Sequence, residues 1–258
     1  MRLLALLVAA ALAGGCARPS SAETLAIVGS TSVPVKSELV GGMPAGFAVE
    51  VAAEAARKAG FSPSVSLYPW ERAVRIAREG RAVLAHLYWT PARAGSFDFT
   101  LPLYEDDVLV VTRRGAEFQI RGVQDLRGRR LAVQQGAGYG APFEAALPWL
   151  DARTDNDPVQ RLRLLARRDI DAALFNPCPA AVWRTAALAG LPAERFAIME
   201  RPLARLPCHM AVAKGHMPGL VERLNRAIES LRADGTIGRL RAAACAEGGI
   251  GPRAADGW

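Results

Sequence analysis

The chain has 258 residues, 51% of them hydrophobic and 22% charged, with a formal net charge of +7. That length and composition describe a globular protein with a sizeable core, built as one large domain or two lobes. The positive charge is spread almost entirely over Arg. It shows no basic run, few interleaved aromatics and no nucleic-acid motif, which argues against a nucleic-acid partner and for a solvated surface with a weak preference for anionic ligands.

Met1-Arg2 is a short positive region, and residues 3–12 form an apolar stretch too short to anchor in a bilayer as a stable span. Ala13-Gly14-Gly15-Cys16 resembles a bacterial lipobox, with Cys16 as the lipidation site and new N-terminus. The rival is cleavage after Ser20-Ser21-Ala22, which releases the chain without an anchor. Either route exports it, so residues 1–22 read as a signal peptide.

A short apolar run at 25–29 is the first expected strand, followed by a loop punctuated by Gly41, Gly42, Pro44 and Gly46. Phe47, Val51, Ala55 and Ala59 recur every four residues and predict an amphipathic helix closed by Gly60. Residues 65–68 predict a second strand. Pro69 then opens a helix carrying Trp70, Val74 and Ala77. Residues 82–89 predict a third strand. The β-α-β-α-β order implies a parallel sheet with right-handed crossovers.

A longer extended run spans 104–111, and a second β-α series follows it. It comprises a strand at 131–133, the glycine-rich Gly136-Ala137-Gly138-Tyr139-Gly140 loop, a helix with Phe143 and Leu147, and a helix over 158–167. Next come a buried strand at 170–175, a helix opened by Asn176-Pro177-Cys178-Pro179, and an extended run at 208–213. Leu220, Leu224, Ile228 and Leu231 mark an amphipathic helix, and a last helix covers 237–244. Trp89 and Phe47 read as core.

Chemistry concentrates in 86–104. Pro91 pushes Thr90 toward extended geometry, so the chain leaves the third strand there. Arg93 therefore sits just past a strand's carboxyl end, where open α/β sheets place ligands. Its guanidinium can grip a carboxylate through two parallel hydrogen bonds. On chemistry alone, an anion anchor and a surface Arg are even readings. Cys178, Cys208 and Cys245 offer one disulfide in an exported chain, and Cys178 with Cys208, in the same half, is the expected pair. His86, His209 and His216 lack ligand spacing with the Cys, so neither a metal nor a cofactor is expected.

Several segments together resemble bacterial extracellular solute-binding proteins of family 3, the polar amino acid type of ABC transporter substrate-binding protein. Gly46-Phe47-Ala48-Val49-Glu50-Val51-Ala52 is similar to the start of that family's first helix. Thr90-Pro91-Ala92-Arg93, Phe97-Asp98-Phe99-Thr100 and Pro102-Leu103-Tyr104 resemble its TPER…FDFS.PY segment. Asp125-Leu126-Arg127-Gly128, Asp169-Ile170-Asp171-Ala172-Ala173 and Ala233-Asp234-Gly235-Thr236-Ile237 resemble three further motifs, in the family's order. Pro69-Trp70-Glu71-Arg72-Ala73 resembles a divergent P-W-x-R-A branch.

The resemblance implies a type II periplasmic binding protein fold: two α/β lobes, two hinge strands and a ligand cleft between them. Lobe 1 would be 23–106 with 214–258, and lobe 2 would be 107–213. It implies that Arg93 holds a ligand carboxylate, met by backbone N–H groups of Gly136, Gly138 and Tyr139, although a plain glycine turn fits the same residues. Asn176 stands where amino acid binders carry an Asp for the ligand ammonium, and its neutrality points away from an ordinary amino acid. His86 and Tyr88 replace smaller residues and either hydrogen-bond the ligand or fill the cleft. Trp70 enters the cleft or packs on its helix, two even readings, whereas Asp98 and Asp171 read as fold positions.

The implied function is non-enzymatic: capture of a small anionic or zwitterionic solute by a periplasmic, monomeric binding protein for an ABC permease of the inner membrane, with membrane contact only through the Cys16 lipid. The alternatives are a prephenate-type (cyclohexadienyl) dehydratase on the same fold, for which Glu71 and Glu38 are the available acids, and a ligand-sensing module for a separate membrane partner.

Overall fold

The computed structural model describes residues 22–246, so the expected signal peptide up to residue 21, with Cys16, lies outside the described residues. Strand β1 (Glu23–Ser30) pairs in parallel with β5 (Phe61–Tyr68) along its whole length and with β6 (Val83–Tyr88) on its other side. Two short strands, β2 (Ser32–Val33) and β3 (Ser37–Val40), join β4 (Met43–Ala45) in a small antiparallel sheet inserted after β1. Helix α1 (Phe47–Lys58) leaves that sheet through Gly46, whose φ is 115° and where a Cβ would meet the Lys36 carbonyl at 2.4 Å. Only glycine fits there. Helix α1 is alanine-rich and buried on nearly all sides, and it fits between the sheet and the C-terminal helices. On the opposite sheet face, α2 (Trp70–Arg78) buries Trp70, Ala73, Ile76 and Ala77.

After β6 come the single turn α3 (Pro91–Ala94), β7 (Phe97–Phe99) and the long strand β8 (Tyr104–Arg113). The second half comprises β9 (Arg130–Gln134), α4 (Ala141–Ala146), β10 (Asp151–Asp155), α5 (Pro158–Ala166), β11 (Ala172–Phe175), α6 (Pro179–Ala189) and β12 (Phe196–Ile198). The long strand β13 (Ala204–Ala213) returns to the first half, and α7 (Leu220–Ala233) and α8 (Thr236–Cys245) close the chain against α1. The principal sheet runs β10-β9-β11-β8-β13-β6-β1-β5. Strands β8 and β13 pair antiparallel over 104–108 and 204–208, then diverge, β8 to β11 and β13 to β6. They are the two strands that cross between the halves. Each half has apolar clusters on both sheet faces, one pair built around Leu25, Phe47, Leu224 and Val28, Leu84, the other around Leu126, Leu131 and Leu162, Phe196. No helix among the described residues is long and apolar enough to cross a membrane.

The structure departs from the sequence expectations at four places. The segment before α1 is a three-stranded sheet rather than a loop. Strand β10 is polar, Asp-Ala-Arg-Thr-Asp, and belongs to the sheet because it pairs with β9 at the edge, where hydrogen bonding overrides propensity. Trp89 is 54% exposed, because the chain turns outward one residue after β6 ends. The disulfide joins Cys178 to Cys245, not to Cys208. Cys208 lies on β13 with its side chain sealed in the first half's core, whereas the end of α8 returns to the start of α6 and brings Cys245 to a Cα–Cα distance of 6.0 Å from Cys178. Burial pushes the Cys208 thiol up to about 11, so it stays protonated.

The bridge closes a loop of 67 residues. Cys178→Ser should therefore lower stability by about 2–4 kcal/mol in denaturant unfolding. Peptide mapping without reduction should recover residues 178 and 245 in one cross-linked species, and a cross-link containing Cys208 would contradict the pairing.

Candidate functional site

All six residues of β6 are buried, and its last three, His86, Leu87 and Tyr88, line a cavity where the two halves meet. Just beyond, the Thr90 hydroxyl accepts the Arg93 N–H at 3.2 Å and caps the turn α3, and Pro91 starts that turn. This fixes the base of the Arg93 side chain. Its guanidinium donates to the Tyr88 carbonyl at 2.8 Å and, across the interface, to the Gly136 carbonyl at 2.9 Å. The same Gly136 oxygen accepts the Trp70 Nε1–H at 3.0 Å. Two polar side-chain contacts also span the halves, Gln135 Nε2 donating to Glu71 at 2.7 Å and Arg184 pairing with Glu38 at 3.5 Å, besides the Cys178–Cys245 bridge.

The first half contributes Val33, Lys36, Trp70, His86, Leu87, Tyr88 and Arg93 to the cavity wall, and the second half contributes Gln134, Ala137, Gly138 and Asn176. The cavity measures about 30 Å³. That is room for about two waters, so a ligand of amino acid size enters only with the halves further apart. Trp70 stacks on His86 with centroids 5.6 Å apart and planes 10° from parallel. His86 Nε2 is buried without a hydrogen-bond partner. Burial, and then the nearby Lys36 charge, hold the His86 pKa well below its ordinary value, so the ring is neutral at physiological pH.

Behind this wall lies a sealed charge pair. Lys36 sits between β2 and β3 with its ammonium bonded to the Asp106 carboxylate, and it donates to the Tyr88 hydroxyl at 3.2 Å. The Tyr88 hydroxyl donates in turn to Asp106 Oδ2 at 2.7 Å. Burial opposes the Lys36 charge, but Asp106 outweighs it and holds the ammonium pKa above its usual value. Burial and the same carboxylate push the Tyr88 hydroxyl well up, so it stays a neutral donor. For Arg93, burial lowers the pKa and Glu144 opposes that shift. The guanidinium remains charged.

Of the residues singled out from sequence, Trp70, His86, Tyr88, Arg93, Gly138 and Asn176 line one cavity, and Gly136 borders it through its carbonyl. Tyr139 does not. Its ring packs edge-on against Phe143 in the second half's core, and its hydroxyl accepts the Gln134 N–H at 2.8 Å. In this arrangement the Gly136 carbonyl faces Arg93 and the Ala137 N–H is held by the Gln134 carbonyl at 3.3 Å, ahead of the six-residue helix α4. Asp98 and Asp171 hold the fold: Asp98 pairs with Lys214, and Asp171 binds the Arg130 guanidinium and N–H.

Sequence reasoning missed Lys36, Gln134, Val33, Leu87 and Ala137. One signal for Lys36 was available: it is one of only three lysines beside 29 arginines, set in the apolar run Val33-Pro34-Val35. Removing one member of a buried pair strands the other's charge, so Lys36→Met should cost about 3–5 kcal/mol in denaturant unfolding. Adding Asp106→Asn should recover part of that loss. A cost below about 1 kcal/mol for Lys36→Met would mean that Asp106 finds water or another partner.

Over 197 residues the chain is 26% identical to the L-cystine-binding protein TcyJ of Escherichia coli (strain K12), covering 74% of this chain and 71% of that protein. A crystal structure of a histidine kinase sensor domain with similarity to periplasmic binding proteins superimposes with a TM-score of 0.75 at 24% identity, covering 87% of this chain and 96% of that one. An ancestral arginine-binding protein bound to arginine matches with a TM-score of 0.72 at 21% identity, covering 85% and 97%. At such identities the two structures speak for the fold alone: two α/β lobes joined by the crossing strands β8 and β13 with a cleft between them, the type II periplasmic binding fold. Residues 26–243 match the family as a whole, and the chain belongs to the bacterial extracellular solute-binding proteins, family 3.

Proposed function

We propose that this protein, exported to the periplasm, captures a small carboxylate-bearing solute by closure of its lobes and delivers it to an ABC permease of the inner membrane. In this reading lobe 1 comprises 23–106 with the segment from 214 onward, lobe 2 comprises 107–213, and the protein works as a monomer, held at the membrane only if Cys16 is lipidated. The observation that carries it is Arg93: a guanidinium fixed by a capped turn at the carboxyl end of β6, lining a cavity between the lobes and already bonded across it. A carboxylate that engages both this Arg and lobe 2 favours the closed arrangement, and it shifts the lobes by no more than that preference.

Binding fits this site better than dehydration does. The two acids considered for catalysis are engaged elsewhere, Glu71 with Gln135 and Glu38 with Arg184 and the Val35 N–H, and neither lines the cavity. Sensing on behalf of a separate membrane protein is the second reading, favoured by the fold shared with the histidine kinase sensor domain. It uses the same closure and the same Arg93.

A thermal-unfolding screen against small amino, hydroxy and dicarboxylic acids tests this. A ligand present at about 100 times its Kd adds about 2.7 kcal/mol. For a chain of this size that is a rise of about 5–10 °C. Arg93→Ala should abolish the rise and Arg93→Lys should keep part of it. A rise unchanged in Arg93→Ala would place the carboxylate elsewhere.

A further inference from the structure

We infer that the cleft is selective for carboxylic acids that carry no ammonium group, such as 2-hydroxy acids, over the matching amino acids. This deepens the solute-binding reading and rests on it. The cavity wall holds two cations, Arg93 and Lys36, and no Asp or Glu among the described residues. Its remaining polar groups are the neutral side chains of His86, Tyr88, Gln134 and Asn176.

A zwitterion brought to Arg93 by its carboxylate leaves its ammonium in this wall with no counter-charge. Asp106 does not line the cavity and is fully buried: its Oδ2 is taken by Lys36 and Tyr88, and its Oδ1, without a partner, is sealed from the cavity. Glu144 lies near Arg93 and Gly138 but also stands outside the wall, and its charge already acts on the guanidinium. The Lys36 charge is offset by Asp106 and that of Arg93 by the ligand's own carboxylate, so an ammonium would stand in a desolvated space as an ion without a partner, which is costly.

A hydroxyl meets the opposite circumstances. His86 Nε2 is buried, lines the wall through its ring and has no hydrogen-bond partner. A hydroxyl both donates and accepts, so it satisfies that nitrogen in either tautomer. The Asn176 amide, on the far side of the cleft, likewise offers both roles without charge.

Calorimetric titration of the mature chain with matched pairs that differ only in this group provides the test: glycolate and glycine, L-lactate and L-alanine, L-malate and L-aspartate, L-phenyllactate and L-phenylalanine. In the best-bound pair the hydroxy acid should bind at least about tenfold tighter, equivalent to about 1.4 kcal/mol. Asn176→Asp, which sets a carboxylate in the wall, should narrow or reverse that ratio by about tenfold while leaving the protein folded. Equal or tighter binding of the amino acid overturns the inference and leaves solute binding intact. No binding by any acid in either series overturns both. An unchanged ratio in folded Asn176→Asp overturns the charge argument. Should that variant fail to fold, the ratio in the unaltered chain decides alone.

Discussion

Two opposite charges sealed from water hold the site's wall in place. Lys36 arrives from the small sheet after β1, Asp106 lies near the start of the crossing strand β8, and Tyr88 ends β6. One ammonium, one carboxylate and one hydroxyl therefore tie together three segments that are far apart in sequence. Such a pair is a poor source of net stability, because desolvating two ions costs about as much as their attraction returns. Its effect is positional. Lys36 and the Tyr88 hydroxyl both bond to Asp106 Oδ2, which holds the end of β6 and gives the turn that carries Arg93 a defined starting point. The small sheet thus contributes to the cavity wall, although its strands are only two to four residues long.

The contacts across the cleft are of another kind. One peptide oxygen, that of Gly136, serves both Trp70 and Arg93, and two side-chain pairs at the rim add to it. These are few and partly exposed, and each contributes on the order of 1 kcal/mol. Arg93 spends two of its donors on carbonyls, one on each lobe, and a guanidinium has five. A carboxylate can therefore add to these bonds or displace the one to Gly136.

What the sequence made legible follows from how local each cause is. The helices α1 and α7 were visible because their apolar spacing is written within one segment, and the position of Arg93 because Thr90 and Pro91 act on the very next turn. Polar β10 was not, because an edge strand is defined by its neighbour rather than by its own residues. That the Tyr139 ring packs in the core could not be read either: whether a side chain beside a glycine loop points into a cleft or a core depends on what lies under the loop. Lys36 belongs to this class too, since its partner is 70 residues away. The disulfide was misread because nearness along the chain stood in for nearness in space, and α8 folds back onto α6.

The Cys178–Cys245 bridge joins the start of α6, in one lobe, to the end of α8, in the other. It lies beside the crossing strands, because the carbonyl of Pro177, next to Cys178, accepts the Asp107 N–H of β8 at 3.0 Å. A strap beside the axis of a door travels little as the door swings, but it strains at once if the door is lifted or wrung. If the lobes bend about β8 and β13, as the proposed capture needs, such a strap would permit that motion while its covalent bond resists shear and torsion. Export into an oxidising compartment, where that bond forms, would give the chain a single-axis joint that the reduced polypeptide lacks.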